Sequence, residues 1–346
     1  MAGLTRRSWR TRLTRLAPKN WSPLARWLAR IAAGALVVAA VVATVGAAPF
    51  LHGLASVSPL SLLVAVALTA IATGAAAWRW RTVAAGFGLR MRWRDAVVSY
   101  YRSQFLNTFL PGGVVGDVHR AYRHGQRSGS VALAARAVAT ERIAGQFVQL
   151  ALVALVLASL GMTSPLRGTG WIVAGIAATV AIAIAIVAAT ARGRRMLRRE
   201  SGMLRQLFGD PRRSVQVVAS SVLIVACHST VFIVACLVSG VHGHPRELVA
   251  IALIALTAAA LPFNVGGWGP REGATAATFA VLGLGAAAGV AASTTFGVIS
   301  AIALLPGAAV LIADRVAAIR ARRLVPKSTI PAGTPAVDHH REEVAA

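Results

Sequence analysis

Residues Leu248 to Gly285, LVAIALIALTAAALPFNVGGWGPREGATAATFAVLGLG, decide how this chain is read. The stretch is apolar enough to lie in a membrane, yet LPFNVGGWGPREG (Leu261 to Gly273) interrupts it midway. Proline removes a backbone donor and glycine relaxes the helix, so the helix should unwind there. Lipid cannot hydrogen-bond the freed groups, and non-helical backbone at that depth survives only where protein buries it or water reaches it. The stretch is therefore predicted to be a re-entrant hairpin that lines a cavity. AVVSYYRSQFLNTFLPGGVVG (Ala96 to Gly116) has the same plan, broken at FLPGG (Phe109 to Gly113).

Around these two broken segments lie uninterrupted apolar runs of about 20 residues, the length a helix needs to span the hydrocarbon layer. They cover about Ile31 to Phe50, Val57 to Ala77, Ile143 to Met162, Trp171 to Thr190, Val215 to Val238 and Ala288 to Ala313. A cleavable signal peptide competes for the first run, because Gly46-Ala47-Ala48 supplies small residues. The run is longer than a signal core, so an uncleaved anchor is expected. The expected architecture is an all-α polytopic membrane protein with about six full spans and two re-entrant broken hairpins. Counting each hairpin arm as a short crossing gives the alternative of eight or more nominal helices.

Composition agrees with this patterning. Lys and Arg number 36 against 11 Asp and Glu, while mean hydropathy is +0.66. The basic residues concentrate in short stretches between the apolar runs, most densely from Arg192 to Arg213. Threaded with two hairpins, the chain leaves only Arg167, Arg246 and Arg271 on one side and 33 basic residues on the other. Basic loops face the cytoplasm, so both termini are expected there, in a multi-pass protein of the cell membrane. No finger, helix-turn-helix or RNA-binding signature accompanies the charge, and no nucleic-acid partner is expected. Cys227 and Cys236, and the pair His242 and His244, form neither a disulfide framework nor a metal-ligand set. No cofactor or metal is expected.

Each half then carries two spans, a broken hairpin and a third span, and the halves begin on opposite sides of the membrane. Such inverted repeats recur in secondary transporters, with the substrate held at the interrupted elements. The expected divisions are a basic cytoplasmic leader at 1–26, a transmembrane domain at 27–320 with halves of about 27–165 and 166–320, and a disordered cytoplasmic tail at 321–346.

Three motifs occur in order: FLNTFLPGGVVGDVHRAY (Phe105 to Tyr122), ATERIAGQ (Ala139 to Gln146) and LPFNVGGWGPREG. In them the chain resembles the flippase-like transmembrane domain of bacterial lysylphosphatidylglycerol synthases, over roughly residues 25 to 320. The resemblance implies movement of a lipid or lipid-linked molecule between leaflets. Full-length synthases of this kind also carry a large soluble aminoacyl-transfer domain. Here only about 30 residues follow the last span, so aminoacyl transfer by this chain alone is not expected.

Ionisable residues at membrane depth are functional candidates, since each costs about 2.5 to 3.5 kcal/mol on insertion scales. They are Arg102, Asp117, Arg120, Glu141, Arg142, Arg271 and Glu272. Arg271 and Glu272 follow the Gly266-Gly267 break, where a new half-helix offers free N–H groups to an anion. An internal Arg271–Glu272 pair that merely anchors the hairpin is the other reading. Gly112, Gly113, Asp117 and Arg120 repeat the pattern in the first half, with Asp117 and Arg120 spaced for an ion pair. Glu141 and Arg142 are read either as an interfacial anchor with a snorkelling arginine or as charge partners of Asp117, Arg120 or Arg102. Asn107 and Asn264 are placed to cap freed backbone, or to touch substrate.

The function these features favour is translocation of a phospholipid or of a polyprenyl- or glycolipid-linked substrate, with an anionic headgroup or lipid-linked phosphate as the partner. The chain contains no P-loop, so no ATPase site of its own is expected. Two alternatives remain: a non-catalytic membrane partner of a separately encoded synthase or glycosyltransferase, and a membrane-embedded transferase that uses a lipid phosphate and a carboxylate base.

Overall fold

The computed structural model describes residues 46–110, 113–160, 165–166, 208–260 and 269–324, with single positions at 43, 201, 202 and 205. Every extended element among them is a helix: α1 (Ala48–Ala55), α2 (Pro59–Gly86), α3 (Trp93–Phe109), α4 (Val115–Ser128), α5 (Val131–Ser159), α6 (Pro211–Val238), α7 (Pro245–Ala259), α8 (Pro270–Val281), α9 (Ala286–Ala303) and α10 (Leu305–Leu324). The chain divides into a large unit, 1–310, and a short one that starts at Leu311 within α10. The described part of the short unit is the rest of that helix, where Arg315 and Arg320 are exposed.

Among the described residues, four helical stretches are long and apolar enough to cross a membrane: Pro59–Gly86, Val131–Ser159, Pro211–Val238 and Ala286–Ala317. With them the chain is an all-α polytopic membrane protein. The expected runs from Ile31 and from Trp171 lie largely or wholly outside the described residues.

Local sequence explains where the helices start. Ser58 and Ser61 form a reciprocal capping box at α2, each side chain accepting from the other's backbone N–H at 3.0 and 3.2 Å. Ser130 accepts from Leu133 N at the head of α5, and Asp210 from Arg212 N at the head of α6. Pro59, Pro211, Pro245 and Pro270 each occupy the first turn of a helix, where the missing N–H costs nothing and the fixed φ is already helical.

Both broken segments form pairs of short helices. In the first, α3 and α4 are separated at residues 110–114, and in the second, α7 and α8 are separated at residues 260–269. A positive-φ glycine precedes the second arm in each: Gly113 (φ 60°) and Gly269 (φ 118°). A side chain at either position would be strained. Each pair rests on its own core. Trp80, Ala96, Tyr100, Ala121, Ala134 and Val138 pack the first against α2 and α5. Phe232, Ile251, Ala255, Phe279, Ala292 and Phe296 pack the second against α6 and α9. Small buried residues on α2 (Ala65, Thr69, Ala72, Thr73) and on α6 (Ser220, Ser221, Cys227) let these two helices lie close together.

Three boundaries differ from expectation. α2 continues past Arg79 to Gly86, because Arg79 finds partners inside the protein and need not mark the membrane surface. α5 starts at Val131 rather than near Ile143, since the segment before Glu141 is alanine-rich, has high helix propensity and is capped by Ser130. Glu141 and Arg142 thus lie inside a 29-residue helix, not where a loop enters one. The last apolar run divides at Leu304, with Pro306 in the first turn of α10.

Candidate functional site

A cavity of about 930 Å³ opens between the two helix pairs. Its wall includes the ends of both breaks: Phe109, Gly113 and Val114 from the first, and Ala259, Ala260 and Arg271 from the second. α5 supplies Arg142, Gly145, Gln146 and Gln149, residues at i, i+3, i+4 and i+7 and therefore on one helical face. α6 contributes His228, and α9 contributes Phe296, Ser300 and Ala301. The volume lies in the range of small-molecule sites, roughly 300 to 1,000 Å³.

At the first-hairpin end stands a buried charge network. Glu141, fully buried at 0 % exposure, accepts from Arg79 Nε at 2.8 Å and from Tyr100 Oη at 3.0 Å through Oε1, and from Arg120 Nη2 at 3.0 Å through Oε2. Arg79 also donates to Ser221 Oγ at 2.9 Å, which ties α2 and α5 to α6. Asp117 accepts from Arg120 Nη2 at 2.9 Å and Ser103 Oγ at 3.2 Å, and pairs with Arg142 Nη2 at 2.7 Å. The remaining nitrogens of Arg120 find no hydrogen-bond acceptor among the described residues. Two aromatic faces cover that guanidinium instead, with Cζ 4.5 Å from the Trp80 ring centroid and 4.3 Å from that of Tyr100. Three guanidiniums meet two carboxylates, so the network carries one net positive charge.

Asn107 joins this network to the break. Its Oδ1 accepts from Gly116 N at 2.7 Å, and its amide donates to Asp117 Oδ2 at 3.1 Å. The side chain thus satisfies one of the orphan N–H groups at the start of α4, the capping role expected of it. Just beyond, outside the apolar spans, His124 is held below its ordinary pKa by burial first, then by Arg127 and Arg120. Its ring meets that of Trp80 edge-on at 5.5 Å.

The second hairpin carries a smaller cluster. Glu272 Oε2 accepts from Gly269 N at 2.7 Å, closing the first turn of α8. Its Oε1 accepts from Arg271 Nε at 3.0 Å and from Ser293 Oγ at 3.1 Å. Arg271 therefore pairs with Glu272, as one of the two expectations held, and it also lines the cavity. The two helix pairs match in these contacts: Asp117 and Glu272 are each the third residue of a second arm, and each second arm is bonded to a long helix that follows it, Arg120 to Glu141 and Arg271 to Ser293.

Of the residues singled out from sequence, Asn107, Asp117, Arg120, Glu141 and Arg142 form one network. Asn107, Gly113, Asp117, Arg142 and Arg271 border the cavity, while Arg120, Glu141 and Glu272 stand behind its wall. Arg102 is buried on α3, donates to Ser99 Oγ at 3.3 Å and does not line the cavity. Gly112, Asn264, Gly266 and Gly267 lie outside the described residues. Arg79 escaped the sequence reading because Trp78-Arg79-Trp80-Arg81 looks like an interfacial girdle. The cavity-lining Gln146, Gln149 and His228 escaped as isolated polar positions in apolar runs; the i, i+3, i+4, i+7 spacing from Arg142 was the available signal.

Searches of curated proteins and of solved structures returned no match. Residues 27–307 match the family model described as the lysylphosphatidylglycerol synthase TM region. The chain, a multi-pass membrane protein, belongs to that lipid-handling family.

Proposed function

We propose that this protein moves a phospholipid or a lipid-linked phosphate compound between membrane leaflets, the headgroup passing through the cavity while the hydrocarbon chains stay in the bilayer. The observation that carries the reading is that both helix breaks end on one cavity, whose largely apolar wall also holds three arginines, Arg79, Arg142 and Arg271. Cationic side chains beside a helix break favour an anion. A carboxylate acting as a general base must reach its substrate, and of Asp117, Glu141 and Glu272 only Asp117 lines the cavity. Each of the three is held by at least one arginine, which favours translocation over transferase chemistry.

The test is movement of fluorescent anionic lipids across liposomes containing the purified protein, with Arg271→Ala alongside. Arg271→Ala alone leaves Glu272 buried without its guanidinium, so Arg271→Ala/Glu272→Gln is measured beside it, and a folded double variant with lost movement is expected. A variant that folds and moves lipid as fast as the parent removes Arg271 from the proposed path.

A further inference from the structure

The cavity's polar groups are unevenly divided between charge and neutral hydrogen bonding, and the division bears on which headgroup fits. This inference rests on the translocation reading above and narrows its substrate. Asp117 is the only carboxylate among the described residues that line the cavity, and it is already bound to two arginines, Arg120 and Arg142. Glu141 and Glu272, behind the wall, are likewise paired. The chain holds no Asp or Glu before Asp95. An ammonium group entering this space meets no carboxylate free to receive it, and faces three guanidiniums.

The face of α5 provides the complement. Arg142 binds Asp117 with one terminal nitrogen, while its side chain is 39 % exposed. One and two turns further along the same face stand Gln146 and Gln149. Gln149 donates to Thr257 Oγ1 at 3.1 Å, and the carbonyl oxygen of its amide is engaged by no other described residue; Gln146 makes no hydrogen bond to another described residue. Ser300, on the α9 side of the cavity, has a buried hydroxyl without a hydrogen-bond partner among the described residues. From Arg142 to Gln149 the helix rises about 10 Å at 1.5 Å per residue. That length accommodates a phosphate followed by a glycerol or a single sugar ring. A guanidinium serves the phosphate, and amides, which both donate and accept, serve hydroxyls.

We propose that the Arg142–Gln146–Gln149 face of α5 is a subsite for a phosphate bearing a polyhydroxyl group, and that it discriminates against aminoacylated, cationic lipid headgroups. Phosphatidylglycerol and a polyprenyl-phosphate hexose share this chemistry; lysylphosphatidylglycerol retains the phosphate but adds two ammonium groups.

The test is competitive displacement of a fluorescent phosphatidylglycerol from the purified full-length protein, with four competitors: phosphatidylglycerol, polyprenyl-phosphate hexose, lysylphosphatidylglycerol and phosphatidylmethanol. The last is anionic but has no hydroxyl. At least one of the two polyhydroxyl lipids should bind about tenfold or more tighter than lysylphosphatidylglycerol, the scale of one hydrogen bond to a charged group. Which of the two binds better identifies the source. Phosphatidylmethanol should compete more weakly than phosphatidylglycerol, and Gln146→Ala should narrow that gap. Gln146→Glu removes no bond to a described residue, so folding should survive. It places a carboxylate one turn from Arg142 and should shift the preference toward lysylphosphatidylglycerol by about tenfold.

A parent protein that binds neither polyhydroxyl lipid tighter than lysylphosphatidylglycerol, or a preference unchanged in Gln146→Glu, overturns the inference. The two claims fail separately. Liposomes in which both lipids cross at equal rates leave translocation standing and refute the selectivity. Retained binding preference with no lipid movement refutes translocation and leaves the subsite in place.

Discussion

Gly145 turns its bare α-carbon toward the Arg79 guanidinium: a methyl group added there would stand 2.5 Å from Nη1. The small residue on α5 makes the space in which a cation on α2 reaches Glu141, one turn away on the same helix. Packing and electrostatics are therefore the same contact at this point.

Gly145→Ala should displace the Arg79 head from Glu141 and Ser221. Overpacking of this kind costs about 1 to 3 kcal/mol, partly offset by the better helix propensity of alanine. A lowered melting temperature in detergent is expected. If the substitution is tested in an Arg79→Met background, where the side chain is slimmer and uncharged, its effect should shrink.

Glu141→Gln removes the carboxylate on which Arg79 and Arg120 converge. Breaking a buried pair from one side costs about 3 to 5 kcal/mol, because the remaining charge stays buried and uncompensated. The protein should lose thermal stability by more than it does on Gly145→Ala. Adding Arg79→Met to Glu141→Gln should restore part of the loss, a coupling that a double-mutant cycle measures directly.

His124 links stability to pH. Its folded-state pKa is lowered by burial and by Arg127 and Arg120, while the ordinary value is 6.5. The unfolded chain therefore binds the proton more readily. The histidine's contribution is present above pH 6.5 and declines as pH falls below that value toward the lower folded pKa. Melting curves taken from pH 7.5 down to pH 5.5 should show falling stability, and His124→Phe should flatten that slope. An unchanged slope in the variant would assign the pH dependence elsewhere.

Much of the helical plan was legible because membranes restrict the options. Apolar runs of spanning length marked α2, α5, α6 and α9, and proline–glycine clusters in apolar surroundings marked both helix pairs. The charged motif residues were legible as a group, since each is costly in that setting. What escaped was the part of Arg79 in the pairing. Nothing in the sequence tells Glu141 to bind Arg79, 62 positions earlier, because that contact depends on α2 running past its apolar stretch and on Gly145 leaving room. The cavity was legible only as a consequence of broken helices, while its amide lining on α5 was hidden among apolar neighbours whose side chains face other directions.

The central claim is that headgroups pass through the space between the two breaks, and filling that space tests it most directly. Ala301 lines the cavity on α9 and carries no charge or hydrogen-bonding side chain, so Ala301→Trp adds bulk without removing a polar partner. Lipid movement is measured in liposomes by chemical quenching of a fluorescent phosphatidylglycerol, with monodispersity and melting temperature recorded for the same preparation. The account predicts a folded variant whose lipid movement falls to the rate of protein-free liposomes. A folded Ala301→Trp protein that moves lipid as fast as the parent would show that headgroups take another route.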